Sequence, residues 1–238
     1  MVKPIDWRRT RRLPAPGRAA PLLTLAALAL TLFHYWTRAD QLGLRAAGQG
    51  WSPLSGAPLP APAHWLAAGL LLGLLPLLGA RLGGLRTRDV GLGAGRVRAG
   101  LAWTAIGIPV AVLAGRLAAA DPAMRAVYPL DRALAPTPAS FLPHAALLLV
   151  YYVAWELLFR GVLLLGLRGR LGAGPANALQ TALSVTAHFA RPALETLSAI
   201  PAGLALGAIT LRCRSIWPAV VIHWTVGVAM DWFVVWMR

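Results

Sequence analysis

The seven residues Trp155-Glu156-Leu157-Leu158-Phe159-Arg160-Gly161 set a carboxylate and a guanidinium one helical turn apart, in a stretch otherwise built from Leu, Val, Tyr and Ala. Ionisable residues at membrane depth are costly, so they mark sites. His188 and His223 each lie in another apolar stretch, and the four together read as a polar cluster assembled from separate membrane helices. A carboxylate and two imidazoles can supply a base for a water molecule and donors for developing negative charge. The same three groups are the ligand set of a catalytic zinc, although the His-Glu-x-x-His spacing is absent. A third reading makes Glu156 and Arg160 a buried ion pair that only locks helix packing, each lowering the cost of burying the other.

These side chains need membrane helices to position them, and the composition provides such helices. Of 238 residues, 58% are hydrophobic and 13% charged, with a mean hydropathy of +0.62, outside the range of an ordinary soluble domain. Charge-free windows fall at 19–37, 46–80, 99–115, 133–155, 171–190, 196–211 and 215–230, each near or above the roughly 17–25 residues of a spanning helix. The expected fold is all-α, a polytopic transmembrane helical bundle of about seven spans (six to eight). The spans are placed at 20–36, 64–81, 100–119, 142–166, 173–190, 195–211 and 216–236. This divides the chain into a basic segment 1–19, N-terminal transmembrane helices over 20–130 and a chemistry-bearing core over 142–236.

Orientation follows from the basic residues, which short cytoplasmic loops retain. Placing Lys3, Arg8, Arg9, Arg11, Arg12 and Arg18 in the cytoplasm puts Arg81 to Arg98, Arg168, Arg170, Arg212 and Arg214 there too. That leaves fifteen basic residues inside and seven outside, with Arg160 within a span. The net charge of +15 is mostly this topological signal. Anionic lipid headgroups account for the basic N-terminus, so no nucleic-acid partner is expected. Trp36, Thr37 and Arg38 follow the first span where a small-residue cleavage site would stand, so it reads as retained. Cys213 is the only cysteine, which excludes an intrachain disulfide and a cysteine metal cage. Segments 53–63 and 91–95, rich in Pro and Gly, read as loops.

Depth arithmetic ties the cluster together. At about 1.5 Å per residue from the cytoplasmic loops, Glu156 lies roughly 18 Å up, His188 about 21 Å and His223 about 13 Å. Glu195 opens the sixth span and Asp231 closes the seventh, both at about 25 Å, where they either border the layer or sit in the outer interface. Trp155 reads as a possible wall of the cavity beside Glu156, whereas most other Trp residues read as interfacial anchors.

These residues resemble the CPBP intramembrane proteases, which include the type II CAAX prenyl endopeptidases and bacteriocin-processing or self-immunity proteins. The family's first motif is a Glu-Glu pair, then three residues, Arg and usually Gly; Glu156, Phe159, Arg160 and Gly161 match, with Trp155 in place of the first Glu. The second motif maps onto His188, with Ser184 replacing an aromatic, and the third onto His223, with Gly227 where Asn or Asp is usual. Gly203-Leu204-Ala205-Leu206-Gly207 and Arg214-Ser215-Ile216-Trp217-Pro218-Ala219 look like the family's run into its last motif. The resemblance covers about 142–236 and describes a divergent branch with a single motif Glu.

The resemblance implies an endopeptidase that hydrolyses a peptide bond in a membrane-anchored or hydrophobic protein or peptide by glutamate-activated water. Glu156 is the expected base, with Glu195 as substitute if Glu156 is tied to Arg160. His188 and His223 would orient water and stabilise the oxyanion, Arg160 would orient the carboxylate, and Asp231 would accept from a His. No cofactor is expected, with zinc as the alternative. Since the first Glu is the residue the family is thought to use on water, Trp155 also favours a non-enzymatic reading, a protease-like binding or immunity protein. Against it stand the four costly polar groups that remain. Membrane lipids are the other partner, and the expected location is the bacterial inner membrane with a cytoplasmic N-terminus.

Overall fold

The computed structural model describes residues 19–37, 60–189 and 191–237, which form eight helices with no strand among the described residues. The basic segment before Ala19, and the Pro-rich stretch up to residue 59, lie outside the described residues. The helices are α1 (Ala19–Thr37), α2 (Ala61–Leu82), α3 (Val97–Ala120), α4 (Pro122–Val127), α5 (Pro138–Leu171), α6 (Ala173–Thr186), α7 (Ala193–Cys213) and α8 (Trp217–Trp236).

Seven of these coincide with the seven expected spans, and the short α4 is the addition. Five of them, α2, α3, α5, α7 and α8, are long and apolar enough to cross a membrane. The other two fall short of the sequence expectation. The apolar part of α1 is Ala20–His34, and α6 has 14 residues, or about 21 Å at 1.5 Å per residue, against a hydrocarbon core of about 30 Å. The expected fifth span ends early because a turn at 187–189 precedes Pro192, and the residue before a proline is biased away from helix.

Local chemistry sets the starts. Asp121 caps α4 by accepting from the backbone N–H of Ala123 and Met124 at 2.7 and 3.0 Å. Thr137 caps α5 by accepting from Ser140 at 3.3 Å, with Pro138 at the first helical position; both follow the usual preference for a side-chain oxygen at a helix start. Pro109, Pro143 and Pro201 lie inside helices, which membrane helices tolerate when neighbours satisfy the freed carbonyls.

α5 is the central element: 67% of its apolar window is buried, against 11% for α3. All nine residues Leu157–Leu165 are buried, and they form a π-helical segment that begins directly after Glu156. α8 packs most extensively on α3, and Gly107 and Gly115 of α3 leave room for Ile222 and Ala229 of α8. Small residues let helix backbones approach where lipid offers no hydrophobic drive to association. The loop between α2 and α3 is tied to the turn before α8: Ser215 Oγ donates to the Gly93 carbonyl at 2.8 Å, Ile216 N–H to Gly91 at 3.0 Å, and Trp217 Nε1–H to Leu92 at 3.1 Å.

Candidate active site

α5 and α8 carry the first group. Tyr152, Glu156 and Arg160 follow one another at i, i+4 spacing along one face of α5, where side chains one turn apart meet. Glu156 is fully buried, with 0% of its side chain exposed, and Arg160 Nη1 lies 3.1 Å from its Oε1. From α8, His223 places Nδ1 2.7 Å from the same oxygen, and the Tyr152 ring stacks obliquely on His223 at 4.5 Å between centroids. Glu156 is thus bound by two cationic or donor groups from two helices, while its Oε2 has no protein partner among the described residues.

The end of α6 and the start of α7 carry the second group. His188 Nδ1–H donates to the Ser184 carbonyl at 2.7 Å, and its Nε2 lies 3.9 Å from Glu195 Oε1. Thr196 Oγ1 donates to the His188 carbonyl at 2.9 Å, pinning the turn that carries the imidazole onto α7. Tyr128, just beyond α4, donates its hydroxyl to Glu195 Oε1 at 2.8 Å. Burial pushes the Tyr128 phenol well above its ordinary pKa, which keeps it a donor to that carboxylate. Arg191 lies over the Tyr128 ring at 5.5 Å, close enough for a cation–π contact.

Asp231 belongs to a third group. Its Oδ2 is 2.8 Å from His144 Nε2, with both side chains buried, and Trp65 meets the His144 ring edge-on at 4.9 Å. The expected histidine partner of Asp231 is therefore His144 of α5 rather than His188 or His223.

The three groups border one cavity of about 60 Å³, room for a few waters at most. His188, His223, Glu195, Asp231, Tyr152, Trp155 and Arg191 line it, whereas Glu156 and Arg160 do not. Of the six side chains expected from sequence, Glu156, Arg160 and His223 form one contact set, His188 and Glu195 another, and Asp231 the third. Trp155, in the place of the first motif Glu, is buried with its ring 5.1 Å from His188; it supplies the aromatic contact that Ser184 cannot. Gly227 is filled in the same way: a Cβ there would collide with the Tyr152 hydroxyl.

Sequence reasoning passed over Tyr128, Tyr152, Arg191 and His144. Tyr152 had a signal, since it precedes Glu156 by one helical turn, and His144 is another ionisable residue inside an apolar span. Tyr128 and Arg191 lie between helices and had none. Among the described residues, no group of three or more His, Cys, Asp or Glu side chains could hold a metal ion.

Residues 137–229 match the family model described as type II CAAX prenyl endopeptidase Rce1-like. No curated protein and no solved structure matches the chain. The matched segment begins at the Thr137 cap of α5 and ends two residues short of Asp231, so it contains Glu156, Arg160, His188, Glu195 and His223. With five helices among the described residues able to cross a membrane, this chain is an integral membrane protein whose residues 137–229 are similar to the type II CAAX prenyl endopeptidase Rce1-like family, a likeness consistent with the CPBP family.

Proposed function

We propose that the protein is an intramembrane endopeptidase that hydrolyses a peptide bond in a hydrophobic or membrane-anchored protein or peptide, with Glu195 activating the water. The observation that carries this reading is the small cavity, with room for a few waters, on which Glu195, His188 and His223 converge. Glu156 is tied to both Arg160 and His223 and does not border that cavity, which is the condition under which Glu195 becomes the base. Glu195 is partly exposed, and its Oε2 has no protein partner among the described residues.

The chemistry then runs without a cofactor. A water in the cavity gives a proton to the Glu195 carboxylate as its oxygen attacks the scissile carbonyl carbon. The tetrahedral intermediate collapses with loss of the C–N bond, and the proton passes from Glu195 to the departing amine. General acid–base transfer of this kind contributes roughly 10²–10⁴-fold. Glu156 fixes the tautomer of His223 by taking its Nδ1–H, as a buried carboxylate does for a catalytic imidazole, and Arg160 balances the charge of Glu156. Each neutral histidine is left with Nε2 as an acceptor that can orient the water.

The basic loops support a cytoplasmic N-terminus in a bacterial inner membrane. In a cell without prenylated proteins, the substrate is the leader or C-terminal segment of a membrane-associated protein. Trp155, buried where the family has a Glu, supports a second reading, a binding or immunity protein that holds such a peptide without cutting it.

The test is cleavage of a library of membrane-tethered peptides by the full chain in lipid nanodiscs. Wild type is expected to cut. Glu195→Gln should lose at least about 10²-fold in rate with unchanged thermal unfolding. Glu156→Gln should lose cleavage and stability together, because an unpaired buried Arg160 costs about 3–5 kcal/mol. Wild-type rates in Glu195→Gln would return the base to Glu156. Saturable binding of one peptide with no cleavage by any form would replace the enzyme with the binding protein.

A further inference from the structure

Hydrolysis creates a negative oxygen on the scissile carbonyl, and a donor must face it. Neither imidazole is set up for this as a neutral group. His188 commits its Nδ1–H to the Ser184 carbonyl and His223 commits its own to Glu156, so the second nitrogen of each ring is an acceptor. The Tyr128 hydroxyl is engaged by Glu195. Trp155 Nε1 is fully buried.

We propose that the Tyr152 hydroxyl is the oxyanion donor, standing in the volume that the family's third motif gives to an Asn or Asp side chain. This assignment rests on the endopeptidase reading. Position 227 lies four residues after His223, where the motif carries that polar side chain; here it is Gly227, and a Cβ built on it would overlap the Tyr152 hydroxyl. The loss of a side chain on α8 is thus matched by a hydroxyl reaching across from α5. The Tyr152 ring rests on His223 at 4.5 Å, which holds the hydroxyl in place beside the water-orienting imidazole, and both residues line the cavity. A phenol on a ring packed in this way is a fixed donor that needs no reorganisation when charge develops.

The experiment measures kcat and KM for a peptide that the wild type cleaves in nanodiscs. Tyr152→Phe keeps the ring on His223 and removes only the hydroxyl; it should lower kcat roughly 10²–10³-fold with KM and unfolding temperature nearly unchanged. Tyr152→Ala should be as slow, and adding Gly227→Asn to it should recover about tenfold or more, since the amide then has the vacated space and can donate. A kcat for Tyr152→Phe within about threefold of wild type overturns the assignment. So does a full loss confined to Arg191→Gln, which would move the donor to Arg191. Wild-type protein that cuts nothing sinks the endopeptidase reading itself and this assignment with it, and that result is separate because it precedes every variant.

Discussion

Glu156 Oε1 meets both Arg160 and His223 at hydrogen-bonding distance, and Asp231 Oδ2 meets His144 in the same manner. Each is a polar pair that would be expensive to break, since removing one partner leaves the other buried and unsatisfied. For Asp231 and His144 the expected outcome is a loss of about 3 kcal/mol in either alanine variant. The double variant should cost little more than either single, because groups in direct contact are not additive. Denaturant unfolding of the three variants checks this, and additive losses would mean that the two side chains stabilise the bundle independently. His144 was passed over, but Glu156, Arg160, His223 and Asp231 were legible in the sequence as costly groups in or beside apolar spans. Their pairing was not. Glu156 with Arg160 follows from helical spacing, but His144 with Asp231 joins residues 87 positions apart, a match that only the packing of α5 on α8 decides. The substitution of Trp155 for a motif Glu was equally plain in the sequence, whereas its contact with His188 depends on how α6 ends.

The helices were legible because charge-free windows announce them, and the observed ends fall within a few residues of the expected ones. The π-helical segment Leu157–Leu165 was not. Arg160 is its one polar side chain, and a single polar residue in a stretch buried along its whole length does not tell a widened turn from a regular one. That segment has a visible requirement at Gly161, where a Cβ would lie 2.7 Å from the Val90 carbonyl oxygen and 3.0 Å from Leu157. Gly161→Ala should therefore destabilise the protein by about 1–3 kcal/mol, the usual range for overpacking. The same change at Gly174, which has open space around it, should be neutral or slightly stabilising. Thermal unfolding in nanodiscs compares the two; equal effects would mean that the loop carrying Val90 yields easily. The Gly in the family's first motif thereby has a local reason here, namely the close approach of the α2–α3 loop to α5.

At the scale of the whole molecule, α5 sits inside and α3 outside, so the chemistry lies within the bundle rather than at its lipid-facing rim. The described residues up to 130 contribute packing and three cavity-lining residues, Trp65, Tyr128 and Leu130, and the sequence division at 142 missed that contribution because none of the three is ionised at membrane depth. Among the described residues no set of three ligands surrounds the cavity, and the expected outcome is a cleavage rate unchanged by a strong chelator and by added zinc; a rate that falls with chelator and returns with zinc would require a metal after all. The nine buried residues from Leu157 to Leu165 continue α5 beyond Glu156, away from Tyr152. They make this stretch a stopper: water can be stored on one side of it for chemistry, yet a continuous file of water, along which protons would hop, is interrupted. A membrane protein built in this way can thus keep a wet interior and remain electrically silent. Vesicles reconstituted with it should hold a proton gradient as long as empty ones do.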